Sequence, residues 1–314
     1  MAPSFMMRGS AWITENFLVK AQAGCPRHPT IPTWRDHTLN RHALAASAAF
    51  FVAAHAGATP TPVIFEAAAA TAAALTPTRD DFRSAIGGGT VAGAAGSFGG
   101  VRREINWDGV PDARSDPNLL PANFFNVNSP RGAVFSTPGS GFLVSANAGA
   151  ASPILFGFPN DFAAFSAQRL FTAINSNITD VNFFVAGTNV AATTTAFGAI
   201  FTDVETNGTT QMDFFDETGA LFLSRSVLAS GNQGLSFLGT TVTGGAISRV
   251  RITSGVNTIS ANGQLGNPDD DVVVMDDFIF AEPVAAVPEP ATLALVGLAL
   301  AGLILPSRRS ATAR

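Results

Sequence analysis

Twenty Asp and Glu side chains stand against ten Arg between residues 57 and 286, a formal charge of -10, and several are grouped closely enough to do chemistry. Asp108, Asp112 and Asp116 are spaced four apart, Asp269, Asp270 and Asp271 are consecutive, and Asp276 and Asp277 are adjacent. Such groups offer oxygens to calcium, which takes about six to eight of them from carboxylates, carbonyls, amides and water. None has the EF-hand pattern, because Gly109 follows Asp108 directly and the next acids are four residues apart. The calcium expectation therefore centres on Asp276 and Asp277, with Glu66 contributing from the other end of the body. TPVIFE (61–66) and VVVMDDFIF (272–280) read as first and last strands that would lie near one another. Adjacent strand residues point to opposite faces, so without a bulge only one of the two acids can face the site; Asp276 is the first choice as ligand, because Asp277 is followed by Phe278 and Phe280. Solvated loop acids that keep an apolar chain soluble are the competing reading.

Paired carboxylates also suit glycoside hydrolysis, which needs an acid and a base or nucleophile about 5 to 9 Å apart. Glu104 with Asp108, and Asp203 with Glu205, are the pairs to inspect. Most other enzyme chemistry is excluded. Residues 57–286 contain no Cys, His, Lys or Tyr, and their one Trp is Trp107. A Ser-His-Asp triad, a Cys-His pair, a Schiff-base lysine and a disulfide framework are therefore impossible there. Zinc and other transition metals lose their usual ligands. The whole chain of 314 residues carries a formal charge of -5, which argues against a phosphate-binding surface and so against nucleic acid.

Cys25, Lys20 and all four histidines (His28, His37, His42 and His55) lie in a different kind of segment. Residues 42–57, HALAASAAFFVAAHAG, form a small, apolar run preceded by Arg35 and Arg41 and closed by Ala54-His55-Ala56. A basic flank, an apolar centre and an A-x-A site are the features of a secretory signal peptide. Cleavage is expected after Ala56 or after Ala58; a buried alanine-rich helix is the alternative. Residues 1–34 are longer than an ordinary n-region, so either the leader is extended or the true start lies further in.

At the other end, Val287-Pro288-Glu289-Pro290 is followed by the apolar stretch ATLALVGLALAGLIL (291–305) and then by Arg308-Arg309. Fifteen helical residues span about 22 Å, short of a bilayer core of about 30 Å, so the span depends on thinning or on snorkelling arginines. The basic end should stay cytoplasmic, with the body outside. The order of motif, apolar run and arginine pair resembles the PEP-CTERM protein-sorting signal of Gram-negative bacteria. That resemblance implies processing by an exosortase, an integral membrane protease, with the passenger then released or anchored at the envelope, often in bacteria that make extracellular polysaccharide. A permanent membrane anchor is the simpler alternative.

The elements between these ends must position the acids. TPTRDDFRSAIGGG (76–89) reads as one short helix, capped by Thr76 or Thr78, with Phe82 and Ile86 on one face and Gly87 as its stop. Residues 87–100 are nearly all Gly, Ala, Ser and Thr, but lack the Walker lysine and the strand-to-helix setting of a phosphate loop. Residues 103–130 read as a long ordered loop. Short strands then follow near 133–135, 142–144, 179–185, 196–203, 209–215, 220–227, 234–241, 246–252 and 271–280, with Asp216-Glu217-Thr218-Gly219 as a hairpin turn. Arg249 and Arg251 alternate with Val250 and Ile252, as on a strand with one wet face.

The expected fold is all-β: a two-sheet, jelly-roll-like β-sandwich with one short helix, flanked by an N-terminal signal segment and a C-terminal transmembrane sorting helix. The expected divisions are a leader and signal peptide (1–56), a secreted domain (57–286) and a sorting tail (287–314). FGAIFTDV, QMDFFDETG, SFLG, RVRITSG and VVVMDDFIF also resemble, more loosely, the β-sandwich passengers found with such tails. Expected partners are signal peptidase and the secretion machinery, an exosortase-type protease, and extracellular polysaccharide. Three functions compete: a non-enzymatic envelope or matrix protein, a carbohydrate-binding module, for which Trp107 would be the sole Trp platform, and a carboxylate-dependent glycan hydrolase.

Overall fold

The structure, a computed structural model, describes residues 59–260 and 271–285. The leader and signal segment (1–56), Asp269 and Asp270, the sorting motif Val287–Pro290, the apolar stretch and Arg308-Arg309 lie outside the described residues. Among those described, no helix is long and apolar enough to cross a membrane.

Among the described residues fifteen strands follow one another: β1 Thr61–Ala69, β2 Ser97–Phe98, β3 Arg102–Ile105, β4 Ala133–Ser136, β5 Gly141–Val144, β6 Phe171–Ile174, β7 Ile178–Phe183, β8 Ala192–Thr193, β9 Ala196–Thr202, β10 Gln211–Phe215, β11 Leu221–Ser226, β12 Leu235–Thr243, β13 Arg249–Thr253, β14 Val274–Ala281 and β15 Val284–Ala285. Helix α1 is Ala72–Ile86 and α2 is the single turn Phe124–Val127. The strands form an eight-stranded sheet, ordered β1-β12-β9-β14-β3-β2 with β6 and β5 joined through β14, a five-stranded sheet ordered β11-β10-β13-β7-β4, and the ribbon β15-β8. From β6 onward the chain alternates between the two large sheets, except for the β10–β11 hairpin and the ribbon strands β8 and β15.

The large sheets face one another across a phenylalanine-rich core. Phe135 and Phe183 of the five-stranded sheet meet Phe171, Phe197, Phe278 and Phe280 of the other at centroid distances of 5.1 to 6.0 Å. Trp107 stacks flat on Phe171 at 4.0 Å, and its indole N–H donates to Asp276 O at 2.7 Å. This explains a composition with 26 Phe and no Tyr: a ring buried between sheets needs no hydrogen-bond partner, whereas a phenol would.

Helix α1 covers the outer face of the larger sheet, burying Leu75 and Phe82 against Phe237, Ile200 and Ile279. Gly198 and Gly239 are paired directly across β9 and β12 and leave the depression that Phe82 fills. A Cβ on Gly198 would sit 2.8 Å from the Phe82 ring and 2.9 Å from Phe237. The helix begins earlier than expected. Thr71, not Thr76 or Thr78, is the cap, accepting from Ala74 N, because Ala72–Ala74 are strong helix formers and the exposed Pro77 is accommodated inside the helix. Gly87, at φ 92, ends it as expected.

The expected placement of the first and last strands is corrected. β1 is an edge strand paired with β12, whereas β14 is central, between β9 on one side and β3 and β6 on the other. Burial agrees with this: all eight residues of β14 are buried, while every residue of β1 is exposed or half-buried.

Candidate functional site

The acid pair singled out by the sequence sits in the middle of β14. Pairing with β9 shifts register between Met275↔Phe201 and Phe278↔Ala199, so three steps on β14 match two on β9. Asp276 and Asp277 therefore form a β-bulge, which re-aims side chains locally. Met275, Phe278 and Phe280 point into the core between the sheets, and Ile279 and Ala281 into the core under α1. The extra residue lets both acids turn outward, which adjacent strand residues can do only at a bulge.

Asp276 is fully buried, yet among the described residues no cation forms an ion pair with it. Its Oδ2 accepts from Phe165 N at 2.6 Å and Ser166 N at 3.2 Å, and its Oδ1 accepts from Ser166 Oγ at 3.0 Å. Burial, and then the charge of Asp277, push its carboxyl well above the usual range. Asp277 is 4% exposed, and burial pushes it up to about 6. Its Oδ1 has no hydrogen-bond partner. Two carboxyls in one dry pocket cannot both ionise cheaply, so burial and their mutual repulsion favour the protonated form in the pair.

Glu66 is not brought to this pair. It lies three strand spacings away, about 14 Å at the usual separation, with β12 and β9 between. There it forms a two-pronged ion pair with Arg225 of β11, with the Nε contact at 2.8 Å. Among the described residues, no three acidic, His or Cys side chains converge to hold a metal ion.

The acids of the 103–130 segment are likewise engaged separately. Asp108 accepts from Arg169 N at 3.2 Å, and burial raises its carboxyl. Asp112 pairs with the buried Arg169 at 2.5 Å. Asp116 is raised by burial. Glu104, the proposed partner of Asp108, is clamped by Arg83 at 2.5 Å and Arg102 at 2.7 Å.

Asp203 has the more suggestive environment. Burial, followed by the charges of Glu205, Asp161 and Asp271, pushes it up to about 7, and Gln233 N donates to it at 3.0 Å. A carboxyl held neutral beside others is how an acid and a base are set apart. Asp203 is only 5% exposed, however, and Asp271 spends its oxygens on Glu205 N and Thr209 Oγ1. Trp107 is 1% exposed and belongs to the core, not to a sugar-binding platform.

Sequence reasoning missed Ser166, which sits in a segment with no strong pattern yet supplies two of the three donors to Asp276. It also missed Asp180, which lies opposite Arg251 on β13 and binds both Arg251 (2.8 and 2.9 Å) and Arg249 (2.7 Å). The wet-face alternation of those arginines was the available signal.

Outside the described body, residues 286–309 match the PEP-CTERM protein-sorting motif. The chain carries a PEP-CTERM sorting motif. The match covers the Val287–Pro290 motif, the apolar stretch and the arginine pair together. No curated protein matches the chain. Among solved structures, a Podospora anserina GH26-CBM35 beta-(1,4)-mannanase aligns at a TM-score of 0.23 and 11% identity, over 51% of this chain and 29% of that one. This chain thus aligns with under a third of that structure, and the likeness supports no argument beside the PEP-CTERM match.

Proposed function

We propose that the protein is an exported, non-enzymatic component of the cell envelope or extracellular matrix, processed at its tail by an exosortase-type membrane protease. The observation that carries this reading is the PEP-CTERM match over residues 286–309. In this proposal the N-terminal segment is removed by signal peptidase, residues 57–286 fold outside the inner membrane, and residues 291–305 hold the precursor in the bilayer until the tail is cut. The body is then retained at the surface or released, in contact with extracellular polysaccharide.

The strand order supports a jelly-roll reading of the body. β6-β14-β9-β12 lie opposite β7-β13-β10-β11, and the chain passes between these two sets as in a double Greek key. The non-enzymatic reading draws support from the acids themselves. Glu104, Asp112, Asp180 and Glu66 are engaged by arginines, and Asp276 by N–H and O–H donors, so their oxygens serve the fold. A carbohydrate-binding module with an aromatic platform is disfavoured by the burial of Trp107.

The test replaces Pro288-Glu289-Pro290 with alanines and follows the chain by intact mass in envelope and medium. The expected outcome is normal export with the tail retained, against wild-type protein beginning near Gly57 and lacking residues 291–314. Full-length wild-type protein confined to the cytoplasm would overturn the proposal.

A further inference from the structure

Among the described residues arginine pairing is nearly complete, and one of the two exceptions lines a cavity. Of ten arginines in residues 57–286, eight form ion pairs among the described residues. Arg114, one of the other two, is exposed and solvated. Arg131 is half-buried and, among the described residues, forms no ion pair with a carboxylate. Its Nε donates to the backbone O of Glu104 at 2.7 Å, while the Glu104 carboxylate is held by Arg83 and Arg102. Its Nη1 donates to Ser129 O and Oγ, and its guanidinium lies 5.0 Å from the Phe125 ring centroid. These contacts fix the orientation of the guanidinium without neutralising it. Burial, and then the nearby Arg103, bring its pKa down to about 10, the direction expected of a cation lacking a counter-ion.

Arg131 also lines a cavity of about 240 Å³. The buried Trp107, Val110, Phe124 and Phe125 form its apolar wall, and Asn106, Asn128, Ser129 and Arg131 its polar part. Pockets for small ligands are built this way, with an apolar lining and a few convergent polar groups, although drug-sized ligands need about 300 Å³ or more. A ligand here must be small, and it must be anionic to relieve the uncompensated charge. A planar guanidinium fork matches a carboxylate bidentately.

We propose that the cavity lined by Asn106, Val110, Phe124, Asn128, Ser129 and Arg131 binds a small carboxylate, with Arg131 as its counter-ion. The Asn128 amide, exposed at the rim, contributes a hydrogen bond to the ligand. The carboxylate can belong to a sugar acid or to the end of a peptide, and both present the same group to Arg131. This site stands apart from tail processing, so either proposal can fail without the other.

The experiment is calorimetric titration of the full chain in detergent with glucuronate, N-acetylglycine, glucose and sulfate. Saturable binding of glucuronate or N-acetylglycine is expected, at a Kd of about 1 mM or tighter, with no binding of glucose, its neutral counterpart. Stronger glucuronate binding assigns the sugar-acid source, and stronger N-acetylglycine binding the peptide end. Arg131→Met should weaken the bound carboxylate at least tenfold and Asn128→Ala about threefold, while Arg114→Ala changes nothing. Should Arg131→Met fail to fold, the wild-type contrast between glucuronate and glucose and the exposed Asn128→Ala variant decide the matter. Failure of both carboxylates to bind, equal binding of sulfate, or affinity untouched by Asn128→Ala would overturn the proposal.

Discussion

Asp180 and Asp276 are both strand carboxylates facing away from the central core, yet they are stabilised by opposite means. Asp180 lies on β7 beside Arg249 and Arg251 of the neighbouring β13. Burial works against its charge, but the hydrogen bonds and charges of Arg251 and Arg249 hold its carboxyl below the ordinary value of 3.8. Asp276 sits on the central β14 with no cation beside it, and its oxygens are filled by two backbone N–H groups and a serine hydroxyl. Its pKa moves the other way. A partly wet sheet face can use an ion pair for an acid. A dry one needs fixed dipoles to fill its oxygens.

The comparison breaks most visibly if Asp276 is removed. Asp276→Ala strands the Phe165 N–H and the Ser166 N–H, each costing about 1 to 3 kcal/mol when left unsatisfied in a buried site, while the Ser166 hydroxyl keeps acceptors in Asn106 O and Asp108 Oδ2. Thermal melting should show a loss of about 3 kcal/mol or more, or outright unfolding. Asp276→Asn keeps an acceptor and should retain most of the stability. Equal damage from both substitutions would mean that charge, not hydrogen bonding, holds the bulge.

The pH dependence should separate the two acids by sign. Asp277, at about 6, and Asp203, at about 7, bind protons in the folded protein that an unfolded chain with pKa 3.8 would release. Over roughly pH 4 to 7 the folded state therefore holds more protons, and stability falls as pH rises. Asp180, depressed in the fold, contributes stability above its unfolded value, and that contribution is lost as pH drops below about 4. Urea midpoints across this range should peak near pH 4 to 5. Asp277→Asn should flatten the neutral limb and Asp180→Asn the acid limb; a rising profile between pH 5 and 7 in wild-type protein would contradict the account.

The two regions also differ in how far the sequence reveals them. The strand at 249–253 is legible because its alternation, Arg-Val-Arg-Ile, records one wet and one buried face. The position of β14 is not, since TPVIFE and VVVMDDFIF are both strand-like and local pattern does not state which strand lies between which. The bulge is a consequence of register between β14 and β9, so no local rule assigns a shared side to Asp276 and Asp277. Arg131 escapes notice for a related reason. Its meaning depends on where every other carboxylate goes, above all on Glu104 being taken by Arg83 and Arg102.

A smaller effect is expected on the Asp180 side. Arg251→Ala should cost about 1 kcal/mol, because Arg249 remains to pair with Asp180 and the Arg251 side chain is 43% exposed. Denaturation in low and high salt should show this penalty shrinking as salt rises. The Asp276 penalty should not change with salt, since hydrogen bonds within a buried bulge are not screened.

The smallest effect belongs to Glu66, and it extends the comparison to an acid at the sheet edge. Glu66 joins the edge strand β1 of one sheet to Arg225 on the edge strand β11 of the other. The pair is two-pronged but half-exposed, and such exposed ion pairs contribute about 0.2 to 1 kcal/mol. Glu66→Gln should lower stability by no more than about 0.5 kcal/mol, and roughly 1 M salt should erase the difference. Calcium bears on the same residue. An ion shared by Glu66 and Asp276 would have to bridge the strands β12 and β9 that separate them, and the Asp276 oxygens already hold three donors. Melting of wild-type protein with calcium and then with chelator should therefore give the same midpoint in both. A calcium-dependent rise lost in Glu66→Gln would place a metal where the fold has put an arginine, and would reverse the assignment of Glu66 as an edge-to-edge ion pair.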